Sequence, residues 1–456
     1  MNSTPAGYYD GLNPKLLKAI PPDASRVLEL GCANGRLGAR FKSVMPCTVW
    51  HGVDASAEAV AMAAQHLDQA LHMDLDEDDL SRLEGGYDTV VIGDLLEHLR
   101  DPGRVLEALW DLTAPDARIV ACVPNMAHLS VIERMITGDL SYDPNGLLDQ
   151  THQRFFSPSS LFKLLLDSGW LPHLQDQYDV PTPPSAFGAK VIEAATALGI
   201  PAATARRNLD LYQMIVSCRK WSMSAVLAPG ARARFGVVVP INRSWQFNLN
   251  LARSPGLAEV GAPVVCIEGA SSAADAWARG QRQLDTPWVL MAHQDVYFAR
   301  GTGYAIAAQL AALEARGRTH VPVGFAGLVN DPKNPGHQCY AGQVVDRRHF
   351  FDHGPSSGAI SIDELAVGLH RDARLSIDPA LGWHLWATDL CLQAAARAGR
   401  PDAELLEVPV FHNSVGDYVL GADFHESADR LLGKHTALDA IPTLCGMIQR
   451  REPALA

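Results

Sequence analysis

Short apolar runs alternate with longer helical stretches along almost the whole chain, and this alternation constrains the fold more than any other feature. A run of four to seven apolar residues is too short for a buried helix and reads as a strand covered on both faces. Strands joined by helix-length connections pair in parallel, so the chain is expected to be layered α/β. Seven such runs occupy the first half, at 26–30, 48–53, 70–73, 89–93, 118–123, 171–178 and 211–217. A turn rich in proline (Pro181, Pro183, Pro184) and an alanine-rich helical stretch at 190–198 separate the last two. A second series follows at 235–241, 264–268, 288–292, 324–329 and 405–411, with helical patterns at 272–284 and 304–314. At 456 residues the chain exceeds what one core serves, so two domains are expected, at 1–220 and 235–456, joined by a linker at 221–234.

A formal charge of −13 argues against a nucleic-acid partner, because phosphate affinity comes from clustered Lys and Arg. Nucleotides remain open, since backbone N–H groups, helix N-termini and a metal can hold them. Residues 1–9 carry no signal-peptide pattern, and no run approaches the roughly 20 apolar residues of a spanning helix, so a cytoplasmic protein without a transmembrane segment is expected. The eight cysteines are scattered without C-x-x-C spacing, which fits reduced thiols. Oligomeric state is not readable.

The first strand, Arg26-Val27-Leu28-Glu29-Leu30, runs into the small-residue turn Gly31-Cys32-Ala33-Asn34-Gly35, and an amphipathic helix follows from Arg36. Small residues there let the backbone approach a ligand, and the helix start offers free N–H groups. About 20 residues on, the second strand ends in Asp54, placed to accept both hydroxyls of a ribose. This would serve NAD or S-adenosylmethionine. The dinucleotide pattern G-x-G-x-x-G is broken, however, by Ala33 and Arg36 at its second and third glycine positions.

The spacing resembles instead the E-x-G-x-G-x-G motif of class I S-adenosylmethionine-dependent methyltransferases, with Ala33 in place of the middle glycine. The resemblance continues through Met73-Asp74-Leu75, Asp88 to Leu99, Val123-Pro124-Asn125, Phe155 to Leu161 and Ser168-Gly169-Trp170, covering about 200 residues in order. It implies a Rossmann-like seven-stranded sheet and S-adenosylmethionine as cofactor. Glu29, Gly31, Ala33 and Gly35 would form the donor turn, with Glu29 orienting the methionine amino group. Asp54 would take the ribose, Asp74 the adenine amino group, and Asp94 would close the pocket.

Methyl transfer to a hydroxyl needs positioning and a base. The polar stretch from Gly138 to Phe156 looks like the acceptor side of methyltransferase domains attached to glycosyltransferases. There His152 is a candidate base, Asp149 its orienting partner and Arg154 a holder of anionic groups; His98 and His128 are rival bases, His128 also a candidate substrate contact.

In the second half, the strand Trp288-Val289-Leu290-Met291-Ala292 ends in His293-Gln294-Asp295, and Ser271 reads as the cap of the helix before it. The strand order, this triplet, the stretch Gly382-Trp383-His384 to Leu392, and Val410-Phe411-His412 resemble family 2-like glycosyltransferases of the nucleotide-binding A-type (GT-A) fold, of the streptomycin-biosynthesis type. The resemblance implies a nucleotide-sugar donor and Mg²⁺ or Mn²⁺ held by Asp295 and His412. It implies Asp389 as the base activating the acceptor and Trp383 and His384 as substrate contacts. His293 stands where the first acid of the D-x-D triplet belongs. The expectation is a two-domain enzyme of polysaccharide or glycoconjugate synthesis, methylating a small-molecule or glycan acceptor and transferring a sugar. The alternative is a methyltransferase with a non-catalytic glycan- or nucleotide-binding module.

Overall fold

The computed structural model describes residues 11–179, 185–221, 233–346, 350–353, 356–416 and 420–450. Residues 1–9, the proline turn and most of the stretch 221–234, on which sequence expectations rested, lie outside these. The chain forms two compact units, Met1–Ser222 with Val415–Asp417, and Met223–Ser414 with Tyr418–Ala456. No helix among the described residues is long and apolar enough to cross a membrane.

The first unit is built on one seven-stranded sheet. Its strands are β1 (Arg26–Leu30), β2 (Val49–Asp54), β3 (Gln69–His72), β4 (Tyr87–Gly93), β5 (Thr113–Pro124), β6 (Trp170–Asp179) and β7 (Leu211–Lys220), in spatial order β3-β2-β1-β4-β5-β7-β6. β1 to β5 run parallel, while β7 is inserted antiparallel between β5 and β6. Val27, Leu28 and Leu30 of β1 are fully buried, as a central strand covered on both faces requires. The strand order reverses direction between β1 and β4, which pair through Val27↔Thr89 to Leu30↔Ile92. At such a switch point the connections leave to opposite sides, and a crevice opens outside the carboxyl ends of the two strands.

Helices α1 (Pro14–Ala19), α2 (Arg36–Lys42), α3 (Ala57–Ala63), α4 (Pro102–Leu112), α5 (Leu129–Thr137), α6 (Pro158–Asp167), α7 (Ala186–Ala197) and α8 (Ala202–Asp210) complete the unit. Several begin where a side chain satisfies the free N–H groups of the first turn. Asn13 accepts from Lys15 and Leu16, Asp101 from Arg104 ahead of Pro102, and Ser157 and Ser160 form a reciprocal capping box.

The second unit has a seven-stranded mixed sheet at its centre. β8 (Phe235–Ile241), β9 (Val264–Glu268) and β10 (Trp288–Ala292) are its parallel part, in the order β9-β8-β10. Two sequence expectations divide here. The run expected at 324–329 is two strands, Val323–Gly324 in the first sheet and Ala326–Asn330 in a second, six-stranded one. The run expected at 405–411 likewise splits into Ala403–Leu405 and Val410–His412. Ala366–His370, which gave no strand signal, lies between β10 and Val323–Gly324 and pairs antiparallel with both. The helix expected from Ser271 is Ala273–Gln281, and Ser272 is its cap, accepting from the Asp275 N–H.

Candidate active site

The crevice at the β1/β4 switch point is a cleft of about 770 Å³ lined by the turn after β1, by Asp54, by Asp94 to His98, and by Asp149, His152, Tyr212 and Gln213. Its floor begins with Glu29, a buried carboxyl that accepts from Trp50 Nε1 at 2.8 Å. Burial outweighs that hydrogen bond, and the nearby Asp54 adds to it, pushing the Glu29 carboxyl up to about 8.

The turn itself is shaped by three residues with positive φ, Gly31 (+71°), Ala33 (+46°) and Gly35 (+78°). Gly35 caps α2, and a Cβ there would stand 3.0 Å from the Ala63 Cα of α3. Ala33 is the departure from an all-glycine turn, and its methyl group sits in the left-handed region at a cost of about 1 kcal/mol. Asp54 offsets this strain: its Oδ2 accepts from Ala33 N at 2.9 Å and its Oδ1 from Ser56 N at 2.8 Å. The tip of β2 therefore fixes the turn as well as facing the cleft.

Asp74, expected at the adenine, is exposed on the turn after β3; its carboxylate accepts from Asp76 N, and it is not among the residues lining the cleft.

Asp94 follows β4 with a φ of +48°, a value that turns the backbone sharply at the strand's end. Its Oδ1 accepts from Gln213 Nε2 at 2.7 Å, so β7 supplies a residue to the site from far along the chain. Crowding by protein pushes its carboxyl up to about 6. Glu97 is buried, its Oε2 has no hydrogen-bond partner among the described residues, and burial together with Asp94 raises its carboxyl well above the ordinary value.

The expected acceptor residues come together only in part. His98 and His152 pack edge to face with ring centroids 4.8 Å apart at the cleft wall. Burial lowers the pKa of both, and His152 lowers that of His98 further, so both are neutral near pH 7. Asp149 accepts from the His152 backbone N–H through its carbonyl, at 3.0 Å, but its carboxylate does not orient the imidazole. Its Oδ1 instead accepts from Thr151 N and Oγ1, and Thr151 Oγ1 in turn meets His98 Nδ1 at 3.0 Å. His152 Nδ1 donates to Leu147 O at 3.1 Å. The reason is local: Asp149 closes a turn onto residue 151, which leaves its carboxylate short of the next side chain.

Arg154 is exposed and its guanidinium donates to the Arg100 carbonyl, outside the cleft lining. His128 is buried as the cap of α5, with its ring against Tyr212. Tyr212 and Gln213 were missed from the sequence, because β7 carries no motif and only the strand order brings it to the cleft.

In the second unit, a ring nitrogen of His293, one of His412 and a carboxylate oxygen of Asp295 lie within 4.8 Å of one another. His412 reaches this place because its strand pairs with Val296–Tyr297 just after the triplet. Burial works against both charges of the Asp295–His412 pair, at 3.5 Å, yet their attraction prevails. Asp295 is held well below the usual carboxylate range and His412 rises to about 9.

Asp389 stands apart in its bonding. It is fully buried in the helix Trp386–Ala398, with Oδ1 2.8 Å from His435 Nε2 and Oδ2 accepting from Lys434 and Gln393. Both oxygens are engaged, so it anchors the helix Ala422–Lys434 rather than standing open to an acceptor. Trp383 is exposed, and His384 pairs with Asp423 at 3.1 Å.

Residues 7–172 match the family model described as a methyltransferase domain. The ubiquinone biosynthesis O-methyltransferase of Aeromonas salmonicida is 26% identical over 146 residues, which is 30% of this chain and 60% of that one. That of Shewanella sp. is 28% identical over 34% of this chain and 69% of the relative. The trans-aconitate 2-methyltransferase of Deinococcus radiodurans is 29% identical over 26% and 46%. The chain thus spans about 60% of the length of the first of these relatives. A SAM-dependent methyltransferase structure from Archaeoglobus fulgidus aligns over 45% of this chain and 91% of its own, at 20% identity and a TM-score of 0.33.

Proposed function

We propose, from the premise that the N-terminal unit is a class I S-adenosylmethionine-dependent methyltransferase domain, that this unit moves a methyl group from S-adenosylmethionine to a hydroxyl of a small-molecule or glycan acceptor. The observation that carries the reading is the cleft at the strand-order reversal, where Glu29, the positive-φ turn and Asp54 converge. Glu29 in its ionised form suits the methionine ammonium, and Asp54, already bonded to the turn, has lone pairs for ribose hydroxyls. The displacement at the sulfonium is a matter of positioning, so the protein's share is to hold donor and acceptor in line and exclude water. The neutral imidazoles of His98 and His152 stand at the cleft wall, on the side where an acceptor hydroxyl would be activated. Calorimetry of the full chain with S-adenosylhomocysteine tests this: micromolar binding is expected, and none in folded protein would overturn it.

For the second unit we propose a GT-A-like domain that binds a nucleotide-sugar through a divalent cation. The clustering of Asp295 with His412 at the end of β10 supports this. A binding-only module is favoured by two observations, the imidazole of His293 in place of an acid and the closed bonding of Asp389. Incubation with UDP-, GDP- and TDP-sugars plus Mn²⁺ separates them. Turnover lost in Asp295→Ala supports transfer, and binding without turnover supports the module.

A further inference from the structure

From the partnerless Oε2 of Glu97, so found among the described residues, and the paired imidazoles at the cleft wall, we infer that Glu97, His98 and His152 form a site for a divalent transition-metal ion that chelates the methyl acceptor through two neighbouring oxygens. This rests on the methyl-transfer reading and deepens it.

A carboxylate oxygen of Glu97 and one ring nitrogen each of His98 and His152 lie within 4.8 Å of one another. Ligands around a metal with bonds of about 2.1 Å stand roughly 3–4 Å apart, so slight side-chain rotation closes the set. Glu97 is 1% exposed, yet its Oε2 has no partner among the described residues, a costly arrangement for a buried polar atom.

The surrounding hydrogen bonds fix the imidazoles in the ligating tautomer. Leu147 O can only accept, so His152 Nδ1 carries the proton and Nε2 keeps its lone pair. Thr151 Oγ1 donates to Asp149 Oδ1 at 2.6 Å, so it accepts from His98 Nδ1, and Nε2 of that ring is likewise left unprotonated. A backbone carbonyl behind one histidine and a Thr–Asp relay behind the other are the outer partners that orient metal-bound imidazoles. Two imidazoles and one carboxylate favour Zn²⁺, Mn²⁺, Fe²⁺ or Co²⁺ over Ca²⁺ or Mg²⁺, and three protein ligands leave positions open.

The open positions define the acceptor class. A vicinal pair of oxygens, as in a catechol, a cis-diol or an α-hydroxy acid, fills two of them. The metal lowers the pKa of the bound hydroxyl, whose proton goes to solvent. The alkoxide oxygen then attacks the methyl carbon, the C–S electron pair returns to sulfur, and S-adenosylhomocysteine and the methyl ether result.

Full-length protein titrated with Co²⁺ tests the site. Wild type and His412→Gln, which removes the cluster of the second unit, should share a set of visible d–d bands that vanishes in Glu97→Gln and His152→Gln, with Co²⁺ affinity lower by about 100-fold or more. S-adenosylhomocysteine binding in the same samples reports folding and tests the cofactor reading separately. Identical Co²⁺ titrations in folded wild type and both variants would overturn the site. If a variant does not fold, Mn²⁺ added to the wild type decides: it should strongly enhance relaxation of the S-methyl protons of bound S-adenosylmethionine, and no enhancement refutes the placement. Loss of cofactor binding with retained Co²⁺ bands would refute the methyl-transfer reading and leave the metal site standing.

Discussion

Binding S-adenosylmethionine should release a proton from Glu29. With its carboxyl pushed up to about 8, Glu29 is protonated in most of the ligand-free molecules at pH 7. A methionine ammonium beside it demands the carboxylate, so binding couples to ionisation. The protonated fraction at pH 7 is about 0.9, and a free α-ammonium with a pKa near 8 takes back about 0.1, leaving a net release of about 0.8 proton. Between pH 6 and pH 7 the ionised fraction rises from about 0.01 to about 0.09, so affinity should climb about nine-fold. Calorimetry in phosphate and in Tris, whose ionisation enthalpies differ, reads the proton count directly. Asp94 and Glu97 share the cleft, so the quantity that belongs to Glu29 is the difference between wild type and Glu29→Gln. Proton release unchanged in Glu29→Gln, or proton-neutral binding by the wild type at pH 7, would refute the reasoning.

The same group sets a stability trend. Its folded-state pKa lies above its unfolded value, so its favourable contribution is complete below about pH 4.5 and is lost as pH rises to about 8. Glu29→Gln should therefore raise Tm relative to wild type more at pH 8 than at pH 5, which scanning calorimetry shows. Gly35→Ala places a Cβ 3.0 Å from Ala63 Cα at a φ of +78°. Urea denaturation should register a loss of about 2 kcal/mol, and S-adenosylhomocysteine affinity should fall with it. Asp54→Ala removes the acceptor for two backbone N–H groups of the site, so cofactor affinity should drop about 100-fold while Asp74→Ala, outside the cleft lining, stays within about three-fold. Asp389→Ala leaves the Lys434 and His435 side chains without their buried anion and should cost about 3 kcal/mol in chemical denaturation.

The parallel core was legible in the sequence because its strands are continuous apolar runs. β1, β8, β9 and β10 fall where the runs are, and the others in the first unit shift by a few residues at their ends. The turn after β1 and Asp54 were legible because close backbone approach restricts residue type locally. Asp74 stands after β3 as the sequence places it, but its side chain closes its own turn and lies outside the cleft lining, a local bond that residue spacing does not reveal. Tyr212 and Gln213 escaped because their role depends on where β7 inserts, a tertiary fact with no local mark. In the second unit the two divided runs share one cause. At Phe325, and again between Leu405 and Val410, the chain leaves one sheet for another within a largely apolar stretch, and periodicity does not register such a change of partner.

The antiparallel insertion of β7 has a consequence for how the molecule is made. Among the described residues β6 pairs with β7 alone, a segment translated later, while β5 pairs with β7 and not with β6. While the ribosome is still adding α7 and α8, β6 lacks the strand it pairs with, and the β5 flank is open to any extended chain nearby. A nascent chain stalled before Leu211 would lack both the closing strand and the glutamine that holds Asp94. The first unit is therefore completed in a single late step, when one strand seals the sheet and finishes the cleft together.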